Sequence, residues 1–183
     1  MKYNIYTDGS CSRNPGPGGW AIVVMNEESS AILSIDRYSA DHTTNNREEL
    51  KAILCAFQIA EEYPDDEFII YSDSAYAVNA CNSWIRSWAA NGWRNSKKQT
   101  VENLDLMQAL YDYIKRDFFN VEVRKCDGHA GDLGNELADA LATSNYKKYK
   151  ELVEYWGIQE PIIKSEIILD LETKYELKHR GFN

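Results

Sequence analysis

The sequence predicts an α/β domain built on a mixed sheet, and three observations carry that expectation. Three strand-like segments follow one another with short turns, which gives an antiparallel meander. From Thr43 onward the apolar period changes to that of a helix, and further strand and helix patterns then alternate. Four acids, Asp8, Glu49, Asp73 and Asp139, fall where such a fold can bring element ends together.

The first strand is Tyr3-Asn4-Ile5-Tyr6-Thr7-Asp8, aromatic and β-branched, broken at Gly9 and carrying Asp8 at its end. Cys11 to Gly19 is dense in Gly and Pro and reads as a loop, either a hairpin connection or a segment whose backbone approaches a ligand. Trp20 to Met25 is a buried strand, and Ala31 to Ser39 is the third.

Leu50, Ile53, Leu54 and Phe57 then recur at helical spacing, with Thr43 or Thr44 as N-cap. Glu49 sits at the margin of that stripe, where a lone glutamate snorkels to solvent, yet the flanking Asn45-Asn46-Arg47 is unusual in a first turn. Glu67 to Ser72 has the continuous apolar middle of a central strand. Asp73 follows it, as cap of the next helix, as a ligand group, or as both.

Ser74 to Ala80 reads as a short helix, and a second runs from Asn82 or Ser83 to near Gly92 with Trp84 and Trp88 one turn apart. That pair serves either a core or a stacking platform. Val101 to Phe118 reads as a long amphipathic helix, and Phe119, Val121 and Val123 alternate as a fifth strand. A Gly-rich loop over Asp127–Gly134 holds His129, and a last helix carries Asn135 and Asp139 on one face. Domain organisation follows: one domain over 1–148, and a C-terminal extension over 149–183 with helical spacing at Ile163, Ile167, Leu171 and Tyr175. The extension either packs on the domain or docks a protein partner.

At 183 residues and 44% apolar content the chain can bury a real core. No apolar run is long enough to cross a bilayer, and no basic-then-apolar leader opens the sequence, so a cytoplasmic monomer away from membranes is expected. Cysteines 11, 55, 81 and 126 form no C-x-x-C pair, which excludes the common zinc frameworks. The net charge of −9 disfavours phosphate binding, but residues 74–101 hold no acid and carry Arg86, Arg94, Lys97 and Lys98 among three tryptophans. Clustered carboxylates repel one another unless cations fill the space between them, so the four acids are read as a magnesium site.

These stretches together resemble ribonuclease H of type 1. The matching residues are Thr7-Asp8-Gly9-Ser10-Cys11, Asn14-Pro15-Gly16-Pro17-Gly18-Gly19, Thr44-Asn45-Asn46-Arg47 with Glu49-Leu50, Ser72-Asp73-Ser74, and Gly128-His129-Ala130-Gly131 with Asn135 and Asp139. The resemblance covers residues 1–145 and implies a five-stranded mixed sheet, its first three strands antiparallel, flanked by helices. It implies an endonuclease that cuts the RNA strand of RNA–DNA hybrids with two Mg2+ ions, Mn2+ being the alternative, and leaves 5′-phosphate and 3′-hydroxyl ends. Asp8, Glu49, Asp73 and Asp139 would hold the ions, and His129 would either shuttle a proton or aid product release. Cys11, Asn14 and Asn45 would read the 2′-hydroxyl, Thr44, Asn46 and Asn103 would face the DNA strand, and Asn135 would also meet substrate. Trp84 and Trp88 would lie on a basic protrusion that is weaker here, because Ala89 and Ala90 stand where lysines are common in the family.

Overall fold

The computed structural model describes residues 1–28, 32–116, 120–127 and 132–158, with the backbone alone at 33–36. His129, Phe119 and the helical spacing expected over 163–175 lie outside the described residues.

The elements are β1 (Lys2–Cys11), β2 (Gly16–Asn26), β3 (Ile32–Thr43), α1 (Asn45–Glu62), β4 (Glu67–Ser72), α2 (Ala75–Asn79), a π-helical turn (Ala80–Trp84), α3 (Ile85–Ala90), α4 (Leu104–Ile114), β5 (Val121–Lys125), α5 (Leu133–Ala142) and α6 (Tyr146–Trp156). The strands form one sheet in the order β3-β2-β1-β4-β5. β1, β2 and β3 pair antiparallel, while β4 joins β1 and β5 joins β4 in parallel. The five-stranded mixed sheet expected from the sequence is therefore the one observed.

Side-chain alternation splits the core into two layers. Ile22 and Val24 of β2 face α1 and α4, with Leu50, Ile53, Leu54, Leu106 and Tyr113 fully buried among them. Ala21, Val23 and Met25 point the other way and meet Leu137, Ala138 and Leu141 of α5. Tyr149, Leu152 and Val153 of α6 pack at the margin of that second layer.

Two close approaches set the geometry near the ends of β1. A Cβ on Gly9 would collide with the main chain of Glu48 and Glu49, so the absent side chain is what lets α1 rest on β1. A Cβ on Gly134 would enter the ring of Tyr6, which stacks on Tyr71 at 5.1 Å, so α5 approaches the opposite face just as tightly.

Several expected boundaries move. The Gly/Pro stretch is mostly strand: β1 continues to Cys11 and β2 begins at Gly16, leaving only 12–15 as the connection. Glycine lets these strands lie close, since a Cβ on Gly18 would meet the Ser10 carbonyl and one on Gly19 the Tyr38 carbonyl. β3 runs on to Thr43, pairing it with Gly16. The two helices expected after Asp73 are one continuous helical run, because a π-turn bridges Ala80 to Trp84 without a break. α4 starts at Leu104 rather than Val101, because Asn103 adopts a left-handed conformation at its N-cap (φ 54°). Ser74, not Asp73, caps α2: its hydroxyl accepts from the Ala77 N–H at 3.2 Å. α6 starts at Tyr146, before the boundary expected at 149, and runs into the extension expected to be helical; its own pattern is diluted by Lys147, Lys148 and Lys150 in the first turns.

Replacing Gly9 by alanine should cost about 1–3 kcal/mol or more, because the added methyl meets backbone rather than a yielding side chain. Urea denaturation reads this as a lowered midpoint with an unchanged slope; an unchanged midpoint would refute the packing argument.

Candidate active site

The parallel register of β1 and β4 pairs Thr7 with Ser72, which sets Asp8 and Asp73 side by side one residue further on. The Thr7 hydroxyl donates to the Tyr71 carbonyl at 2.9 Å and locks that register. Glu49, in the second turn of α1, descends onto the same point because Gly9 admits the helix. One carboxylate oxygen from each of Asp8, Glu49 and Asp73 lies within 4.8 Å of the others. Asp8 and Glu49 are almost wholly buried, and Asp73 half so. The expectation that a lone glutamate at position 49 reaches solvent does not hold, since its side chain points under the sheet end.

Electrostatics matches that crowding. Burial and then the charges of Asp73 and Asp139 push the Asp8 carboxyl up to about 8, against a hydrogen bond from the Gly9 N–H. Burial, then Asp8 and Asp73, raise Glu49 strongly; hydrogen bonds from the Gly9 N–H and the Ser72 hydroxyl act against this. Burial and then Asp139 raise Asp73, partly offset by Lys125. A dry, like-charged, all-oxygen cluster of this kind fits hard divalent cations.

Asp139 projects from α5 close enough to raise both Asp8 and Asp73, yet its own carboxylate is engaged elsewhere. The Lys148 ammonium of α6 donates to Asp139 Oδ2 at 2.6 Å. No expectation from the sequence included Lys148.

The residues expected to meet substrate gather at the start of α1 and run outward from it. Cys11 Sγ lies 2.9 Å from the Arg13 carbonyl and 3.3 Å from that of Thr43. Asn14 Oδ1 accepts from the Asn45 N–H at 3.2 Å, so loop and helix are tied together. Thr44 caps α1 by accepting from the Arg47 N–H, and Asn45 and Asn46 are half-buried beside it. Arg47 is buried and grips Asp105 with two hydrogen bonds, at 2.7 and 2.9 Å, and Asn103 Oδ1 at 3.4 Å. Asn103 in turn donates to the Tyr76 hydroxyl at 3.1 Å. Tyr76 meets Trp84 edge-on at 5.8 Å, and Trp84 lies 5.7 Å from Trp88. Both indoles pack against the core while staying half-exposed. Lys97 and Lys98 are exposed beyond them. Asn135 is buried on α5, its Oδ1 accepting from the Cys126 thiol at 3.4 Å.

A family model described as RNase H matches residues 1–147. The chain belongs to the RNase H family. It is accordingly an enzyme, an endoribonuclease of the ribonuclease H type. The Ribonuclease H of Symbiobacterium thermophilum is 47% identical over 139 residues, covering 75% of this chain and 90% of its own. That of Caldicellulosiruptor saccharolyticus is 41% identical over 147 residues, covering 80% of this chain and 97% of its own. Among solved structures, LC9-RNase H1, a type 1 RNase H with the type 2 active-site motif, superposes with a TM-score of 0.66 at 26% identity, covering 89% of this chain and 86% of that one.

Two measurements follow from the electrostatics. With Asp8 raised above its ordinary value of 3.8, the folded, metal-free protein keeps a proton that the unfolded chain has already lost. The contribution of this group to stability should therefore be fully present below about 4 and be lost as pH rises through about 8. Asp8→Asn should flatten that slope and raise the metal-free melting temperature at pH 8 by about 2–4 °C or more, the shift that 1 kcal/mol gives at this chain length. Arg47→Met should act in the opposite sense. Burial alone would raise Asp105, but Arg47 outweighs it and holds the carboxyl low, so losing the partner of a buried carboxylate should cost about 3–5 kcal/mol in denaturant unfolding.

Proposed function

We propose that the chain hydrolyses the RNA strand of RNA–DNA hybrids by a two-metal-ion route, leaving 5′-phosphate and 3′-hydroxyl ends, with Mg2+ as the working ion and Mn2+ as the alternative. The observation that carries this reading is the convergence of Asp8, Glu49 and Asp73 within 4.8 Å in a chain of the RNase H family. The three clustered residues offer oxygen donors, which favours Mg2+ over softer metals.

In this reading Asp8 would serve both ions, Glu49 and Asp73 would hold the one on the leaving-group side, and Asp139 would hold the one on the water side. When bound, the pair supplies an activated water and neutralises charge on the departing oxygen. The chain's own contribution is placement. The Gly9 N–H and the Ser72 hydroxyl orient the two most buried carboxylates before any ion arrives. His129 is assigned the proton transfer to the leaving oxygen, for which its near-neutral intrinsic pKa suits it.

Selecting RNA requires contact with the 2′-hydroxyl. Cys11, Asn14 and Asn45 are assigned to that contact, since the Asn14–Asn45 hydrogen bond fixes loop and helix start as one surface. Thr44, Asn46 and Asn103 are assigned to the DNA strand, with Asn103 held for the task by Tyr76 and Arg47. Asn135 is assigned to the RNA side of the cluster. Trp84 and Trp88 offer half-exposed rings next to the basic segment that ends in Lys97 and Lys98.

Cleavage of labelled RNA–DNA, RNA–RNA and DNA–DNA duplexes, with Mg2+ and with EDTA, tests the assignment. Only the hybrid with Mg2+ should be cut. Asp73→Asn should slow that reaction about a thousandfold, roughly 4 kcal/mol of barrier. Cleavage at an undiminished rate by this variant, or in EDTA, would overturn it.

A further inference from the structure

Lys148 stands just past the segment that matches the family model, which ends at residue 147. Its ammonium nevertheless reaches back to Asp139, at 2.6 Å. Nothing local to α6 favours a cation there. The helix has no acid in its first turn, and a positive charge near a helix N-terminus opposes the dipole. The approach is held in place by its surroundings. The Asn145 side chain caps α6 by accepting from the Lys148 N–H at 3.1 Å, and the Asn145 N–H donates to the Ala140 carbonyl at 2.7 Å. The Arg37 guanidinium lies 4.7 Å from the ring centre of Tyr146, and Tyr149, Leu152 and Val153 seat the helix against α5. The start of α6 is thus fixed relative to Asp139, and Lys148 is aimed at it.

We infer that Lys148 is a built-in competitor for the cation that Asp139 holds, a positioning residue that weakens and delays binding of the second metal ion. The inference rests on the proposed role of Asp139 as a metal ligand. An ammonium on Oδ2 occupies one of the two carboxylate oxygens that Asp139 can offer a cation. Both partners are about two-fifths exposed (39% and 43%), so the flexible lysine stem can release the carboxylate into solvent without unpacking α6. Lys148 also acts on Asp8 at longer range, but its direct pair is with Asp139, so an ion held by Asp8, Glu49 and Asp73 should respond less.

The test counts Mn2+ ions bound per chain, without substrate, by the paramagnetic resonance of the free ion as its concentration is raised. Lys148→Met should lower the concentration that half-fills the second site about two- to fivefold, the range an exposed ion pair of this kind supports. Lys148→Arg should stay near the parent protein. Equal affinities in parent and Lys148→Met, or equal tightening of both sites, would overturn the inference. Asp139→Asn separates it from the reading beneath. If that variant loses the second ion while Lys148→Met changes nothing, only the role of Lys148 falls. If it keeps both ions, the assignment of Asp139 falls and the competitor role with it.

Discussion

Forcing like charges into a dry space is the constraint on which the rest of the structure depends. Asp8, Glu49 and Asp73 share a region no wider than 4.8 Å, and two of them are buried. Each would be more comfortable in water, and burial together with the neighbouring charges pushes the Asp8 carboxyl upward. The fold holds them there by means unrelated to their charge: a strand register locked by Thr7, a helix admitted by Gly9, and hydrophobic layers on both faces of the sheet. The stability of the core offsets the tension of the site, and cations relieve it.

A second, opposite arrangement stands beside it. Arg47 and Asp105 are a buried pair whose charges are matched, and the pair anchors the N-terminal turn of α1 to the start of α4. Asn103, Tyr76, Trp84 and Trp88 extend this chain of contacts away from the carboxylates. One side of α1's first turns therefore carries unbalanced charge suited to a metal, and the other carries balanced charge suited to rigidity. Of the side chains assigned to substrate, Asn103, Trp84 and Trp88 belong to this second arrangement, while Asn14, Thr44 and Asn45 meet at the start of α1.

Much of this was legible in the sequence because it depended on periodicity and on element ends. Strand alternation and the helical spacing of Leu50, Ile53, Leu54 and Phe57 place β1, β2, α1 and β4, and these put three acids at one end of the sheet. What escaped were features settled by tertiary contact. The Gly/Pro stretch looked like a loop because those residues punctuate chains, yet here glycine permits close strand pairing. The π-turn leaves no compositional trace, and the left-handed Asn103 shortened a helix whose apolar pattern ran further. Lys148 was invisible for another reason: its partner is nine residues away across a helix junction, and one lysine among Lys147, Lys148 and Lys150 carries no signal.

The contact at Gly9 bears on how such a sequence can drift. Because main chain meets main chain there, the height of α1 above the sheet near Glu49 is set by two backbones and by no side chain between them. Neighbouring apolar positions such as Ile53 and Leu54 fill the space further along the helix, and exchanging them adjusts the far end first. The end that carries the carboxylates is insulated from the gradual turnover of the interior, so distant descendants can share one such cluster over dissimilar cores.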